Sequence, residues 1–207
     1  MKEVSVSFLK DGNYKDYINK INSTNADYIH FDVMDGKFTE NKNLPVGELC
    51  ELVNLSSKKN DVHLMVNNPE RYILELSIYN VDYLTIHYEI KNYEKYLDMI
   101  NSYGIKSGIS INPDTDVRKV FPLLDKVKMV LVMGVVPGKS GQSFIPGTDE
   151  KIRLLKDEIT KRGLNVKVSV DGGVNGEVLD KISDSDIIVS ASYVLDDFDN
   201  INVLKEL

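Results

Sequence analysis

Three short segments carry side chains able to do acid–base or metal chemistry. His30 and Asp32 stand two apart in Ile29-His30-Phe31-Asp32-Val33-Met34, His63 lies in Val62-His63-Leu64-Met65-Val66, and Asp171 ends Val166-Lys167-Val168-Ser169-Val170-Asp171. Each segment alternates, and in an extended strand residues i and i+2 share one face. Ile29, Phe31 and Val33, with Val62, Leu64 and Val66 and with Val166, Val168 and Val170, form an apolar parity suited to pack on helices. His30, Asp32, Met34, His63, Met65 and Asp171 fall on the other parity. A buried imidazole or carboxylate is costly unless paired or bound to a cation. Two of each converging at one place would satisfy one another around one divalent metal ion. Zn, Fe(II), Mn and Co all suit that donor set, which does not select sharply among them. Taken singly, a strand His reads as a hydrogen-bonded core residue and a strand-end Asp as a helix N-cap. The shared parity of the four is what favours a common site.

Two further groups would complete it. Met34, Met65 and Met133 share the inward parity, with Ser5, Ser7 and Leu131. Methionine commonly fills gaps in cores; here three of them could also form a soft, water-excluding ceiling over an anionic intermediate. Glycine-rich stretches then follow the late apolar runs: Pro137-Gly138-Lys139-Ser140-Gly141-Gln142, Asp171-Gly172-Gly173, and the small pair Ala191-Ser192. Glycine lets a backbone approach a ligand closely, and backbone N–H groups hold an anion whatever the net charge. These stretches fit a phosphorylated substrate. Lys139 would add a cation there, or stand solvated at the surface.

The elements that must position these residues are legible from periodicity. Strand patterns cover residues 4–9, 28–33, 61–66, 83–88, 106–111, 128–135, 166–170 and 186–190. Amphipathic helical patterns cover 46–54, 69–79, 93–103 and 149–162, where Ile152, Leu155 and Ile159 share a face. Asn68-Pro69 places a proline at a first helical turn, Asp114 precedes the segment 115–124, and Gly104 and Gly163 suit helix C′ positions. Alternating βα units require a parallel sheet. Eight of them in 207 residues predict a single-domain (β/α)8 TIM barrel over 1–207. An open doubly wound sheet should carry a glycine-rich first βα turn; here that turn reads Lys10-Asp11-Gly12-Asn13. In a barrel, chemistry gathers at the C-terminal strand ends, and the last loops commonly cradle phosphate.

Composition narrows the function classes. Lys+Arg 25 against Asp+Glu 32 gives a net charge of −7, which argues against nucleic acid or an anionic membrane as partner. One cysteine excludes an intrachain disulfide and a Cys-based zinc site. His30, His63 and His87 are the only three histidines, so any imidazole chemistry must use them. Met1-Lys2-Glu3-Val4-Ser5 enters an alternating pattern at once, and no stretch approaches the ~18 apolar residues of a membrane span. A cytoplasmic location is expected.

The motifs resemble the ribulose-phosphate 3-epimerase family. They are Ser7-Phe8-Leu9, His30-Phe31-Asp32-Val33-Met34-Asp35-Gly36-Lys37-Phe38, Asp61-Val62-His63-Leu64-Met65-Val66, Val132-Met133 with Pro137-Gly138 and Gly141-Gln142-Ser143-Phe144, and Val170-Asp171-Gly172-Gly173. The resemblance spans essentially the whole chain. It implies a (β/α)8 barrel, interconversion of D-ribulose 5-phosphate and D-xylulose 5-phosphate, and a place in the pentose phosphate pathway. It further implies metal ligation by His30, Asp32, His63 and Asp171, acid–base roles for Asp32 and Asp171, substrate contacts from Ser7 and His63, and self-association. The chemistry suits these residues. Two carboxylates on opposite sides of a substrate can remove the C3 proton from one face and return one to the other, through a metal-stabilised enediolate.

Four departures from the family pattern fall at the phosphate corner. Gly134 replaces a Ser or Thr, Val136 a polar or acidic residue, Gly138-Lys139-Ser140-Gly141 a Gly-Phe-Gly-Gly loop, and Ala191-Ser192 a Gly-Ser pair. They keep open a hexulose 6-phosphate such as allulose 6-phosphate as substrate, or a non-catalytic sugar-phosphate-binding relative. His87, in Thr85-Ile86-His87-Tyr88-Glu89, is expected to make a polar contact near the mouth or a core hydrogen bond and no metal bond.

Overall fold

The computed structural model describes residues 1–8, 13–139 and 141–207. Leu9, Lys10, Asp11, Gly12 and Ser140 lie outside the described residues. Eight strands run parallel around a closed barrel: β1 (Glu3–Ser7), β2 (Tyr28–Met34), β3 (Lys59–Met65), β4 (Tyr83–His87), β5 (Lys106–Ile111), β6 (Met129–Met133), β7 (Lys167–Asp171) and β8 (Ile187–Ser190). β8 closes on β1 with Ser5 opposite Val189. The helices are α1 (Tyr14–Asn22), α2 (Val46–Leu55), α3 (Glu70–Leu76), α4 (Tyr93–Ser102), α5 (Thr148–Lys161), α6 (Leu179–Ile182), α7 (Ser192–Asp196) and α8 (Asn200–Lys205). The predicted (β/α)8 barrel is the observed architecture. Among the described residues no helix is long and apolar enough to cross a membrane.

The period-two pattern divides the barrel as read. Ile29, Phe31, Val33, Val62, Leu64, Leu84, Ile86, Val168 and Val170 join one apolar core with Ile18, Leu49, Leu52, Ile73, Leu97, Ile152 and Leu155 from the helices. The opposite parity fills the barrel interior. Tyr28, Tyr83, Met129 and Ile187 form a separate cluster on the first residues of their strands or close to them. Leu131, Met133, Val135 and Val189 form another toward the C-terminal ends. Small buried hydroxyls on the strands, Ser5, Thr85, Ser110, Ser169 and Ser190, leave room for larger groups above.

Element ends differ from the sequence pattern where a local group overrides periodicity. The segment 115–124 forms a 3-10 helix (Val117–Leu123) capped by Asp116, whose carboxylate accepts from Arg118 N, not by Asp114. Pro122 inside it lacks the N–H that an α-helical turn would need. α3 stops at Leu76, three residues before the pattern does, and Pro69 occupies its N-cap. Gly104 and Gly163 follow the ends of α4 and α5 with φ of 77° and 63°, as C′ glycines do. The short helices after β7 and β8 carry too few turns to show a period and were not legible in the sequence.

Leu84 points from β4 into the core at 0% exposure. Leu84→Ala should cost about 2–5 kcal/mol, because the barrel wall cannot collapse onto the vacated volume. The expected outcome is a lower urea midpoint at unchanged slope.

Candidate metal centre and cavity

Parallel register brings the chemistry to one level. Ser7 pairs with His30, Asp32 with His63, Met34 with Met65, and Met133 with Asp171. The end of β2 is pinned from the following loop: Asn43 accepts from Met34 N at 2.8 Å and donates to the Asp32 carbonyl at 2.9 Å. His30, Asp32, His63 and Asp171 each offer a ligand atom within 4.8 Å of all the others. His30 Nε2 stands 3.3 Å from Asp32 Oδ1 and 3.9 Å from Asp171 Oδ2. His63 Nδ1 stands 3.2 Å and 3.7 Å from the same two oxygens. Ser7 Oγ donates to the other oxygen of Asp32 at 2.8 Å.

The cluster fits a cation. His30 Nδ1 is held by Asp61 Oδ2 at 2.8 Å, an oxygen that also accepts from Ser5 Oγ. Because Asp61 takes the Nδ1 proton, Nε2 presents its lone pair to the two site carboxylates. Nε2 is fully buried and has no hydrogen-bond partner. A buried polar nitrogen of this kind, aimed at two carboxylate oxygens, is what a metal ion would satisfy. Burial alone would lower the His30 pKa, but Asp61 and Asp32 outweigh it and raise it well above the ordinary imidazole value. The site therefore attracts positive charge, as a proton or as a metal that displaces it.

The two carboxyls differ. Burial would raise Asp32, yet His30 and His63 outweigh it and hold the group well below the carboxylate range. Asp171 is raised, by burial first and by the Asp32 charge second. Asp171 thus keeps its proton to a higher pH than Asp32 does.

His63 and His87 also meet, Nε2 to Nε2 at 2.8 Å, and His87 Nδ1 lies 3.2 Å from Glu89 Oε2. Burial, joined by His63, lowers His87 to about 4 against the opposing pull of Glu89 and Asn112. Glu89 is held below its usual value: burial opposes this, but His87, Thr115 and Asn112 prevail. Sequence reasoning left His87 with a polar contact and did not single out Asp61 or Glu89. Asp61 shares the inward parity of His63 and Met65, which is the signal that could have found it.

A cavity of about 440 Å³ opens over the cluster. Of the residues singled out in the sequence, Ser7, Asp32, Met65, Met133, Gly138, Lys139, Gly141, Asp171, Gly172, Gly173, Ala191 and Ser192 line it. His30 and His63 are buried against Asp32 and do not line it, and neither does Met34. Lys139 pairs at 3.3 Å with exposed Glu40. Val136 is exposed at 58%. A Cβ at Gly134 would meet the Gly172 carbonyl at 2.5 Å and the Phe144 ring at 3.0 Å, so the loop after β6 leaves no room for a side chain there.

Fold and site together define a (β/α)8-barrel enzyme with its chemistry at the mouth. The chain belongs to the ribulose-phosphate 3 epimerase family, whose model matches residues 3–195. It is thereby an isomerase of the racemase and epimerase class acting on carbohydrates. The ribulose-phosphate 3-epimerase of Methanocaldococcus jannaschii is 35% identical over 199 residues, covering 95% of this chain and 84% of that one. That of Escherichia coli (strain K12) is 33% identical over 192 residues, covering 88% and 83%. Among solved structures, N-(5'-phosphoribosyl)anthranilate isomerase from Pyrococcus furiosus matches with a TM-score of 0.64 at 14% identity, covering 100% of each chain. At that identity the likeness concerns the fold alone.

Gly173 holds φ 71°, and a Cβ there would lie 2.7 Å from the Phe144 backbone. Gly173→Ala should destabilise the protein by more than about 1 kcal/mol, since both the dihedral and the contact oppose it. Chemical denaturation of the purified variant reads this directly.

Proposed function

We propose that this chain, as one catalytic domain working in the cytoplasm, interconverts D-ribulose 5-phosphate and D-xylulose 5-phosphate. The observation that carries this reading is the pair of carboxylates, Asp32 and Asp171, meeting at the cavity with proton affinities set apart by their surroundings. Epimerisation beside a carbonyl needs one base and one acid, and environments that push two carboxyls apart supply both. A divalent cation held by His30 Nε2, Asp32, His63 Nδ1 and Asp171 would polarise the ketose carbonyl and stabilise the negative charge left by deprotonation.

The remaining work falls to the side chains. In one direction Asp32, ionised, takes the C3 proton, and Asp171, protonated, delivers its proton to the opposite face of the resulting enediolate. In the reverse direction the two exchange roles. The Ser7 hydroxyl, donating to Asp32, restrains that carboxylate and faces the cavity where a substrate oxygen would lie. Met65 and Met133 present apolar sulfur and methylene surface beside the carboxylates and keep water from the enediolate. At the other end of the cavity Gly138, Gly141, Gly172, Gly173, Ala191 and Ser192 offer backbone to a phosphate, with Lys139 adjacent.

Ribulose 5-phosphate incubated with the protein in D₂O should gain deuterium at C3, and chelation should stop the exchange until metal is restored. Absence of exchange after metal is restored would sink this reading. Asp171→Asn should lower turnover by at least ~10²-fold while the thermal transition is retained, because the amide cannot carry the proton. Substantial remaining activity would refute the role given to Asp171.

A further inference from the structure

Beyond the residues that face the cavity, one chain of hydrogen bonds runs from the buried cluster to Glu89, a partly exposed carboxylate two residues past the end of β4. Glu89 Oε1 accepts from Asn112 N at 2.8 Å and from Thr115 Oγ1 at 2.5 Å. Glu89 Oε2 faces His87 Nδ1 at 3.2 Å, and His87 Nε2 faces His63 Nε2 at 2.8 Å with the rings 27° apart in plane. Phe38 covers His87 with ring centroids 4.4 Å apart. The polarity of this chain follows from its outer end. The two donors on Oε1 and the lowered proton affinity of Glu89 keep it an ionised carboxylate, which only accepts, so its Oε2 takes a proton from His87 Nδ1. His87 Nε2 then carries the lone pair and must accept, which makes His63 Nε2 the donor. In a neutral His63 the proton-free nitrogen is then Nδ1, the atom 3.2 Å from Asp32 Oδ1 and 3.7 Å from Asp171 Oδ2, where a cation would replace the hydrogen bond that Nδ1 makes to Asp32. With the opposite polarity His63 Nδ1 would carry a proton and have nothing to offer a cation.

We propose that Glu89, acting through His87, is a positioning residue that fixes His63 as a metal donor through Nδ1. This rests on the metal-site reading above. His30 is oriented the other way round, by Asp61 on Nδ1, so the two imidazoles present different nitrogens to one site.

The test is Glu89→Gln. A glutamine keeps the shape but has one acceptor oxygen for three donors. With that oxygen on Asn112 N and Thr115 Oγ1, its NH₂ faces His87 and reverses the chain. Zinc affinity, read by competition with a chromophoric chelator, should fall about 10- to 100-fold. Long-range ¹⁵N–¹H spectra of the zinc-loaded native protein contain only three imidazoles. They should show His63 protonated on Nε2 and His87 on Nδ1, a signature that a merely structural Glu89 would not impose. Unchanged zinc affinity in the variant overturns the proposal, as does a native His63 protonated on Nδ1. The second reading stands whether or not the variant folds. A native protein that binds no zinc and no other divalent metal overturns the metal-site reading, and the positioning role with it.

Discussion

The constraint on which the rest of the site depends is the burial of charge at the C-terminal mouth of the barrel. Asp32 and His63 stand side by side in register and almost wholly withdrawn from water, and Asp171 arrives from β7 with a small part of its side chain open to the cavity. Carboxylates this close repel one another, and each imidazole must be told which nitrogen to protonate. The structure answers with partners outside the cluster. Asp61 and Ser5 hold His30, Ser7 holds Asp32, and His87 with Glu89 holds His63. What remains facing inward is a set of lone pairs and anionic oxygens, the environment a cation relieves.

The cavity above is built by loops that lean on one another across the mouth. The loop after β2 reaches the loop after β6, where Asn41 donates to the Gly138 carbonyl at 2.7 Å and Thr39 lies against Gly138. The exposed Lys139–Glu40 pair joins the same two loops and adds little stability on its own in solvent. Asp35 organises the first of these loops by accepting from Lys37 N and Phe38 N at 2.8 Å, and it also accepts from Asn67 N at 2.9 Å. Phe38 is thereby placed over His87, so the loop that helps to wall the cavity also covers that imidazole behind it.

Much of this was legible without coordinates. Alternation in residues 29–34 and 62–66 placed His30, Asp32 and His63 on one face, because strand geometry repeats every two residues whatever the neighbours do. The (β/α)8 order followed from the alternation of strand and helix patterns. Boundaries were less legible: Pro122 and the Asp116 cap turned the segment 115–124 into a 3-10 helix, a local choice that apolar spacing does not report. Gly134 read as a departure from the family pattern. In the structure Phe144 and the Gly172 carbonyl occupy the space a side chain would need.

The sequence by itself determined residue types, parity and order, and so the barrel and the shared face of His30, Asp32 and His63. Only the tertiary structure decided which atoms meet. Met34 stands opposite Met65 in register and shares its parity, yet only Met65 lines the cavity. His87 looked like a solitary strand-end residue until β3 and β4 were placed side by side, bringing its Nε2 to that of His63. Which nitrogen of an imidazole is free is set by what the other one touches. That partner lies on another strand for His30 and for His63, at a distance no spacing along the chain encodes.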